Sequence, residues 1–133
     1  FTKRKEVKKE FVLSTIYYEF DLSKLRADAP DSLAKVLTYM EANPLAVIEV
    51  GAHTDAKGTD EYNEALSKRR SEAAYNLLLS QGVSAKRLEQ KSYSAKQPVA
   101  PNMNEDGSDN PEGRALNRRT EFKIIRCTSC VFD

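Results

Sequence analysis

No run of apolar residues in this chain approaches the roughly 20 that a membrane-spanning helix requires, so no such helix lies within it. Surplus charge of either sign is missing too. Its 21 basic and 20 acidic side chains leave a net charge of +1 over 133 residues, and so close a balance supplies no bulk attraction to nucleic acid or to an anionic membrane. Neither is expected as a partner, except a membrane reached through a part of the protein upstream of Phe1. An initiating methionine and a signal peptide are absent: the chain opens at Phe1 on a basic stretch and reads as a piece of a longer protein, so the missing targeting signal excludes no compartment. Histidine occurs once and cysteine twice. The single Cys-x-x-Cys, Cys127 and Cys130, supplies at most half a zinc site. It follows a strand, where a thioredoxin-type redox pair would open a helix. In a continuing strand the two α-carbons stand about 10 Å apart, too far for a disulfide, whereas a turn would bring them together; the pair reads as incidental or as a tether for the tail. No metal and no cofactor is expected, and no internal repeat is visible.

What is present is an ordered series of strands and helices. "FTKRKEVKKE" (1–10) has no apolar periodicity and reads as a charged leader or linker. "FVLSTIYYEF" (11–20) is β-branched and aromatic, as strands are. Asp28 and Pro30 announce a helix whose stripe is Leu33, Val36, Leu37 and Met40 and whose end is Asn43-Pro44. "LAVIEVGAH" (45–53) is almost continuously apolar, as expected of a central strand covered on both faces. A second helix starts near Thr59, carries Asp60 and Glu61 where the dipole favours them, and ends at Gln81-Gly82. "RLEQKSYS" (87–94) is a third strand, 96–113 a long polar loop, and "RRTEFKIIRC" (118–127) a strand with one wetter face. The order β-α-β-α-β-(loop)-β predicts an α/β sandwich, a mixed sheet of about four strands with both helices on one face. One domain is expected over 11–127, with a tail at 128–133. The loop is longer than compact folds usually need, so it is either functional or loosely ordered.

Two features of "GAHTDAKGTDEYNEALSKRRSEAAYNLL" (51–78) exceed what folding requires. His53 sits beside Thr54 and Asp55 at a strand end, and the following helix places arginine close to its apolar stripe. On a helical wheel at about 100° per residue, Tyr62, Leu66, Ala73 and Leu77 form that stripe; Arg70 and Arg69 flank it on opposite sides. Periodicity does not choose between the arginines. A guanidinium directed at the sheet needs an anionic partner, which could be Asp55 in a structural ion pair or the carboxylate of a ligand; an arginine that snorkels to water needs neither. His53 reads as a hydrogen-bonded structural group. Asn63 could bond back to the 55–58 loop or be a plain exposed helical residue, and Gly58 is expected at positive φ ahead of the helix.

These residues and others resemble the signature of the OmpA C-terminal domain family. "HTDAKG" and "YNEALSKRRSEAAYNLLLSQGVSAKRL" are similar to its T-D-x-x-G, N-x-x-L-S-x-x-R and G-V-x-x-x-R-L motifs. "PEGRALNRRTEF" resembles its closing G-R-x-x-N-R-R-x-E-F, and "IYYEFDLSKLRADA" its first strand and turn. The resemblance covers about residues 15–126, and three ordered motifs with matching spacing are far more specific than one. It implies a non-enzymatic domain, facing the periplasm as part of an outer-membrane-associated protein, that binds peptidoglycan and anchors the cell envelope to the cell wall. The expected ligand is the stem peptide's diaminopimelate end, which carries an ammonium and a carboxylate on one carbon. The resemblance assigns the ammonium to Asp55 and the carboxylate to the fork of Arg70, leaving Arg69 outward. It adds Thr54, Asn63 and Arg118 to the pocket, Asp21 and Leu22 to the opposite wall, and gives Gly58, His53 and Leu66 supporting roles. A homodimer is left open.

The chain departs from the family where Ser92-Tyr93-Ser94 replaces a G-x-G, so the local backbone path is expected to differ, and where the acidic "PNMNEDGSDNPEG" reads as a solvated insertion without calcium-loop spacing. Two rival readings stand beside the main one. Glu49, His53 and Asp55 alternate along a strand and could share a face for acid–base chemistry, but no nucleophile elbow, zinc set or second histidine accompanies them. An assembly module of the cell envelope, contacting proteins without touching the wall, is the alternative function.

Overall fold

The computed structural model of the chain describes residues 6–7, 11–18 and 29–128. Its elements run β1 (Glu6–Val7), β2 (Phe11–Tyr17), α1 (Ala29–Ala42), β3 (Val47–His53), α2 (Asp60–Ser80), a 3₁₀ turn (Ala85–Arg87), β4 (Leu88–Ser92), α3 (Pro111–Asn117) and β5 (Arg119–Thr128). β5, last in sequence, lies inside the sheet. It is antiparallel to β3 on one side and to β1 and β2 on the other, and β4 extends the sheet in parallel beyond β3. The sandwich is therefore mixed, as the alternation of strands and helices implies. Within the segment read as a leader, Glu6 and Val7 pair with Thr128 and Cys127. Cys127 is buried and disulfide-bonded; the chain's other cysteine, Cys130, lies outside the described residues.

One core joins sheet and helices. Val36 and Met40 of α1 and Ala74 and Leu78 of α2 pack with Ile16, Ile48, Val50, Leu88, Phe122 and Ile124 from the strands. Phe122 and Ile124 alternate with Glu121 and Lys123 along β5, so one face is apolar and the other charged. Truncating the fully buried Phe122 to alanine would cost about 3–5 kcal/mol.

α1 stops where Asn43 donates from Nδ2 to the Tyr39 carbonyl at 3.0 Å and Pro44 follows. No basic residue lies in its last turn. A distant one serves instead: Arg87 donates from Nη2 to the carbonyls of Met40 (3.0 Å) and Asn43 (2.7 Å), and from Nε to that of Ala46 (3.1 Å). The arginine of the "GVSAKRL" motif is thus a helix cap delivered from 44 residues away in sequence.

α2 begins as its sequence implies: Gly58 takes φ +95° and Thr59 caps, its Oγ1 accepting from the Tyr62 N–H at 3.1 Å. The stripe it buries is different from the one the wheel predicts. Asn63, Leu66, Ser67, Arg70, Ser71, Ala74 and Leu78 face inward, while Tyr62 is 40% exposed and Ala73 lies outside. The buried face is rotated roughly a quarter turn from the apolar residues, because α2 docks with small polar side chains. Ser67 Oγ accepts from the Ser94 N–H at 3.2 Å, and Ser71 Oγ accepts from Gln90 Nε2 at 3.0 Å.

The 96–113 segment differs from the predicted loop at its far end, where α3 forms. Asn110 caps it by accepting from the Gly113 N–H at 3.0 Å, and Pro111 occupies the first turn. The loop is tied down by the fully buried Asn117, which accepts from the Val99 and Ala100 N–H groups and donates to Ala100 O and Asn102 Oδ1. Gly113 has to be glycine for space, since a Cβ there would collide with the Pro101 carbonyl. Residues 103–109 project as an exposed hairpin closed by Gly107 at φ +87°; this part is the solvated insertion.

Candidate functional site

The loop after β3, the first half of α2 and the end of α3 converge on one polar cleft. Thr54, Asp55, Lys57, Tyr62, Asn63, Leu66, Arg70 and Arg118 line it. Its enclosed part, about 10 Å³, holds about one water, and with the open mouth the space is about 200 Å³. Of the expected site residues, Thr54, Asp55, Asn63, Leu66, Arg70 and Arg118 line this cleft, Gly58 lies beside Asn63, and the His53 ring lies away from it, on Tyr93. Asp21 and Leu22 lie outside the described residues.

Asp55 is 4% exposed and well supplied with donors. Its Oδ1 accepts from the Lys57 N–H at 3.0 Å. Its Oδ2 accepts from Arg118 Nη1 at 2.9 Å and from Arg114 Nη1 at 3.5 Å. Arg118 also donates from Nε to the Tyr18 carbonyl at 3.2 Å, which fixes its direction. A carboxylate offers about four lone-pair positions, so three donors leave room for a fourth.

Arg70 is fully buried and Arg69 is exposed, which decides between the two arginines. The Arg70 guanidinium lies 4.6 Å over the Tyr18 ring and donates from Nη1 to the His53 carbonyl at 3.1 Å. Tyr18 is itself held by a 2.8 Å hydrogen bond to Thr120 Oγ1. Asn63 is buried, against the alternative of an exposed helical residue, with its Oδ1 near Gly58. Thr54 Oγ1 donates to the Asp55 carbonyl at 2.9 Å, and the Thr54 N–H donates to the Ser94 carbonyl at 2.9 Å. Ser94 takes φ +54°, so the serine that stands in the G-x-G region adopts a conformation glycine enters without penalty.

His53 corrects the reading of a hydrogen-bonded histidine. It is 1% exposed and neither ring nitrogen has a hydrogen-bond partner. The ring instead stacks on Tyr93, with centroids 4.7 Å apart and planes at 9°, and Glu121 Oε1 stands 3.7 Å from Nε2. Burial, then the nearby Arg119, pushes its pKa down to about 4, opposed by Glu121. Tyr93 donates from its hydroxyl to Glu49 Oε1 at 2.5 Å and crosses β3 over Gly51, where a Cβ would meet its ring. Glu49 and His53 therefore share the sheet face away from the helices, whereas Asp55, beyond the strand end, belongs to the cleft with α2. The acid–base trio does not assemble.

Sequence reasoning passed over Tyr18, Arg114, Asp109 and Asn117. A signal for Arg114 was present: it stands four residues before Arg118, so a helix carries both to the same side. Tyr18 gives no comparable signal, being one aromatic residue in a strand full of them.

The structure is thus a mixed α/β sandwich with a buried carboxylate and a buried guanidinium facing one cleft. Residues 17–111 match the model of the OmpA family, and the chain belongs to that family. It is 40% identical over 109 residues to a photosystem I P700 chlorophyll a apoprotein A2 of Gloeobacter violaceus, a match covering 82% of this chain and 12% of that protein. It is 38% identical over 111 residues to the peptidoglycan-associated lipoprotein of Pseudomonas aeruginosa, covering 84% of this chain and 62% of that one. The chain thus spans less than two thirds of either relative. Its fold superposes on the crystal structure of the peptidoglycan-associated lipoprotein from Burkholderia pseudomallei with a TM-score of 0.70 and 28% identity, covering 87% and 90% of the two chains.

Proposed function

We propose that this domain binds peptidoglycan non-covalently and anchors a bacterial outer-membrane-associated protein to the cell wall from the periplasmic side. The ligand is the diaminopimelate end of a stem peptide. Its ammonium bonds Asp55 at the unfilled carboxylate position, and its carboxylate takes a bidentate fork from Arg70 with amide donors at the α2 N-terminus. Thr54, Asn63 and Arg118 complete the pocket. The observation that carries this reading is the meeting of Asp55, Arg70 and Arg118 in one cleft. Membership of a family whose relatives include peptidoglycan-associated lipoproteins supports it. A single contact of this kind is weak to moderate, but a polymer presents the same peptide repeatedly, so several tethered domains hold by avidity.

Co-sedimentation with purified diaminopimelate-type sacculi tests the reading. Wild type is expected in the pellet; Asp55→Ala and Arg70→Lys, each checked for native circular dichroism, are expected in the supernatant. Lysine keeps the Arg70 charge and loses the fork. Pelleting of all three alike would move the site elsewhere, and a wild type that stays soluble would put an envelope assembly module in place of wall binding.

A further inference from the structure

We infer that Asp109, on the exposed hairpin, is a positioning residue for the cleft: it holds Arg114 back from Asp55 and so keeps Asp55 available to a ligand ammonium. This rests on the reading of Asp55 as the ammonium's acceptor. α3 sends two arginines toward the same oxygen, Asp55 Oδ2, and they arrive differently. Arg118 Nη1 reaches it at 2.9 Å; Arg114 Nη1 stops at 3.5 Å, the outer limit of a hydrogen bond. The difference follows from what else Arg114 holds. Its Nε donates to Asp109 Oδ1 at 2.7 Å and its Nη2 to Asp109 Oδ2 at 2.6 Å, a two-point fork that fixes the guanidinium plane. The hairpin fixes Asp109 in turn. Its backbone bridges to Met103, and its carbonyl accepts from Asn104 Nδ2 at 3.0 Å.

The consequence is a matter of charge. Asp55, Asp109, Arg114 and Arg118 sum to zero, and Arg70 and Lys57 line the same cleft, so a ligand ammonium already meets net positive charge there. Without Asp109 the same groups gain one positive charge, and Arg114 is free to shorten its 3.5 Å approach to Asp55 Oδ2, so that two full arginine bonds compete with the ammonium for the carboxylate's charge. The fork also draws the Asp109 carboxyl below its usual range and raises Arg114, chiefly through their mutual hydrogen bonds. A substrate-reading device of this sort uses the long insertion for recognition without any contact between the hairpin and the ligand.

Two stem peptides separate this from a merely structural hairpin. One ends in diaminopimelate. The other carries 2-aminopimelate in its place, which keeps the terminal carboxylate and lacks the ammonium. Each is titrated by NMR against wild type, Asp55→Ala, Asp109→Ala and the double variant Asp109→Ala/Arg114→Ala. Asp109→Ala is expected to weaken the diaminopimelate peptide about five- to tenfold and to leave the aminopimelate peptide within about twofold, while the double variant recovers the lost affinity. Equal weakening of both peptides, or no recovery in the double variant, would overturn the inference. If wild type binds, Asp55→Ala does not, and Asp109→Ala matches wild type, the inference alone falls. If wild type binds neither peptide, the reading of the site falls with it.

Discussion

Arg87 offers the clearest separation of fold from function, because it belongs to a family motif yet lies on none of the cleft's walls. Arg87→Ala removes three hydrogen bonds from a cation to carbonyls of Met40, Asn43 and Ala46. Hydrogen bonds to charged groups contribute about 1.5–3 kcal/mol each in isolation, but bonds sharing one group are not additive. Water can reach the freed α1 end, so the helix-terminus part amounts to about 1 kcal/mol. Ala46 is fully buried, and its stranded carbonyl costs about another 1–3 kcal/mol. The sum is about 3 kcal/mol, or about a 10 °C fall in melting temperature for a chain of this size. Urea unfolding without reductant, so that the Cys127 disulfide stays closed, measures it as a lower midpoint at unchanged slope. Arg87→Lys should recover less than half, since one ammonium cannot reach three carbonyls at once. Both folded variants should pellet with sacculi as wild type does. A loss below about 0.5 kcal/mol for the alanine variant, or full recovery with lysine, would refute the capping argument.

Three other substitutions probe separate parts of the molecule. Asn117→Ala unties the 99–102 segment and is expected to cost about 2–3 kcal/mol and to speed amide exchange at Val99 and Ala100; unchanged exchange there would rule out the tether. Ser94→Gly relieves a serine at φ +54° and should be neutral or stabilising by up to about 1 kcal/mol, an expectation that a clear drop in the urea midpoint would contradict. His53 has a folded pKa lowered to about 4 from 6.5, so the unfolded chain binds more protons between those values and stability falls as pH drops through that window. The contribution lost is roughly 3 kcal/mol, and His53→Phe, which keeps the stacking on Tyr93, should flatten the stability profile between pH 6.5 and 4. A variant with the same slope as wild type would mean the histidine does not titrate this way.

The strands and both long helices were legible because their signals are local. The β-branched run at 11–17, the Thr59 cap and Gly82 at φ +94° each act within a few residues of themselves. α3 was legible in part: Asn110-Pro111 is a start signal, but seven residues leave too little periodicity to see. Long-range pairings left no such trace. Nothing about Asn117 announces a bond to Val99, and nothing about Arg87 announces the end of α1. The most informative miss is the face of α2. A hydrophobic wheel assumes that buried means apolar, and it pointed to Tyr62 and Ala73, which are exposed. The true buried face carries Asn63, Ser67, Arg70 and Ser71. Two of these are small enough to let the helix settle on β4, and two turn into the cleft. A helix whose buried face is polar gives up apolar burial there, and such a departure from a local rule is expected where a site has been built. The quarter-turn disagreement between pattern and packing is itself a pointer to the cleft, and it arises independently of the family motifs that mark the same residues.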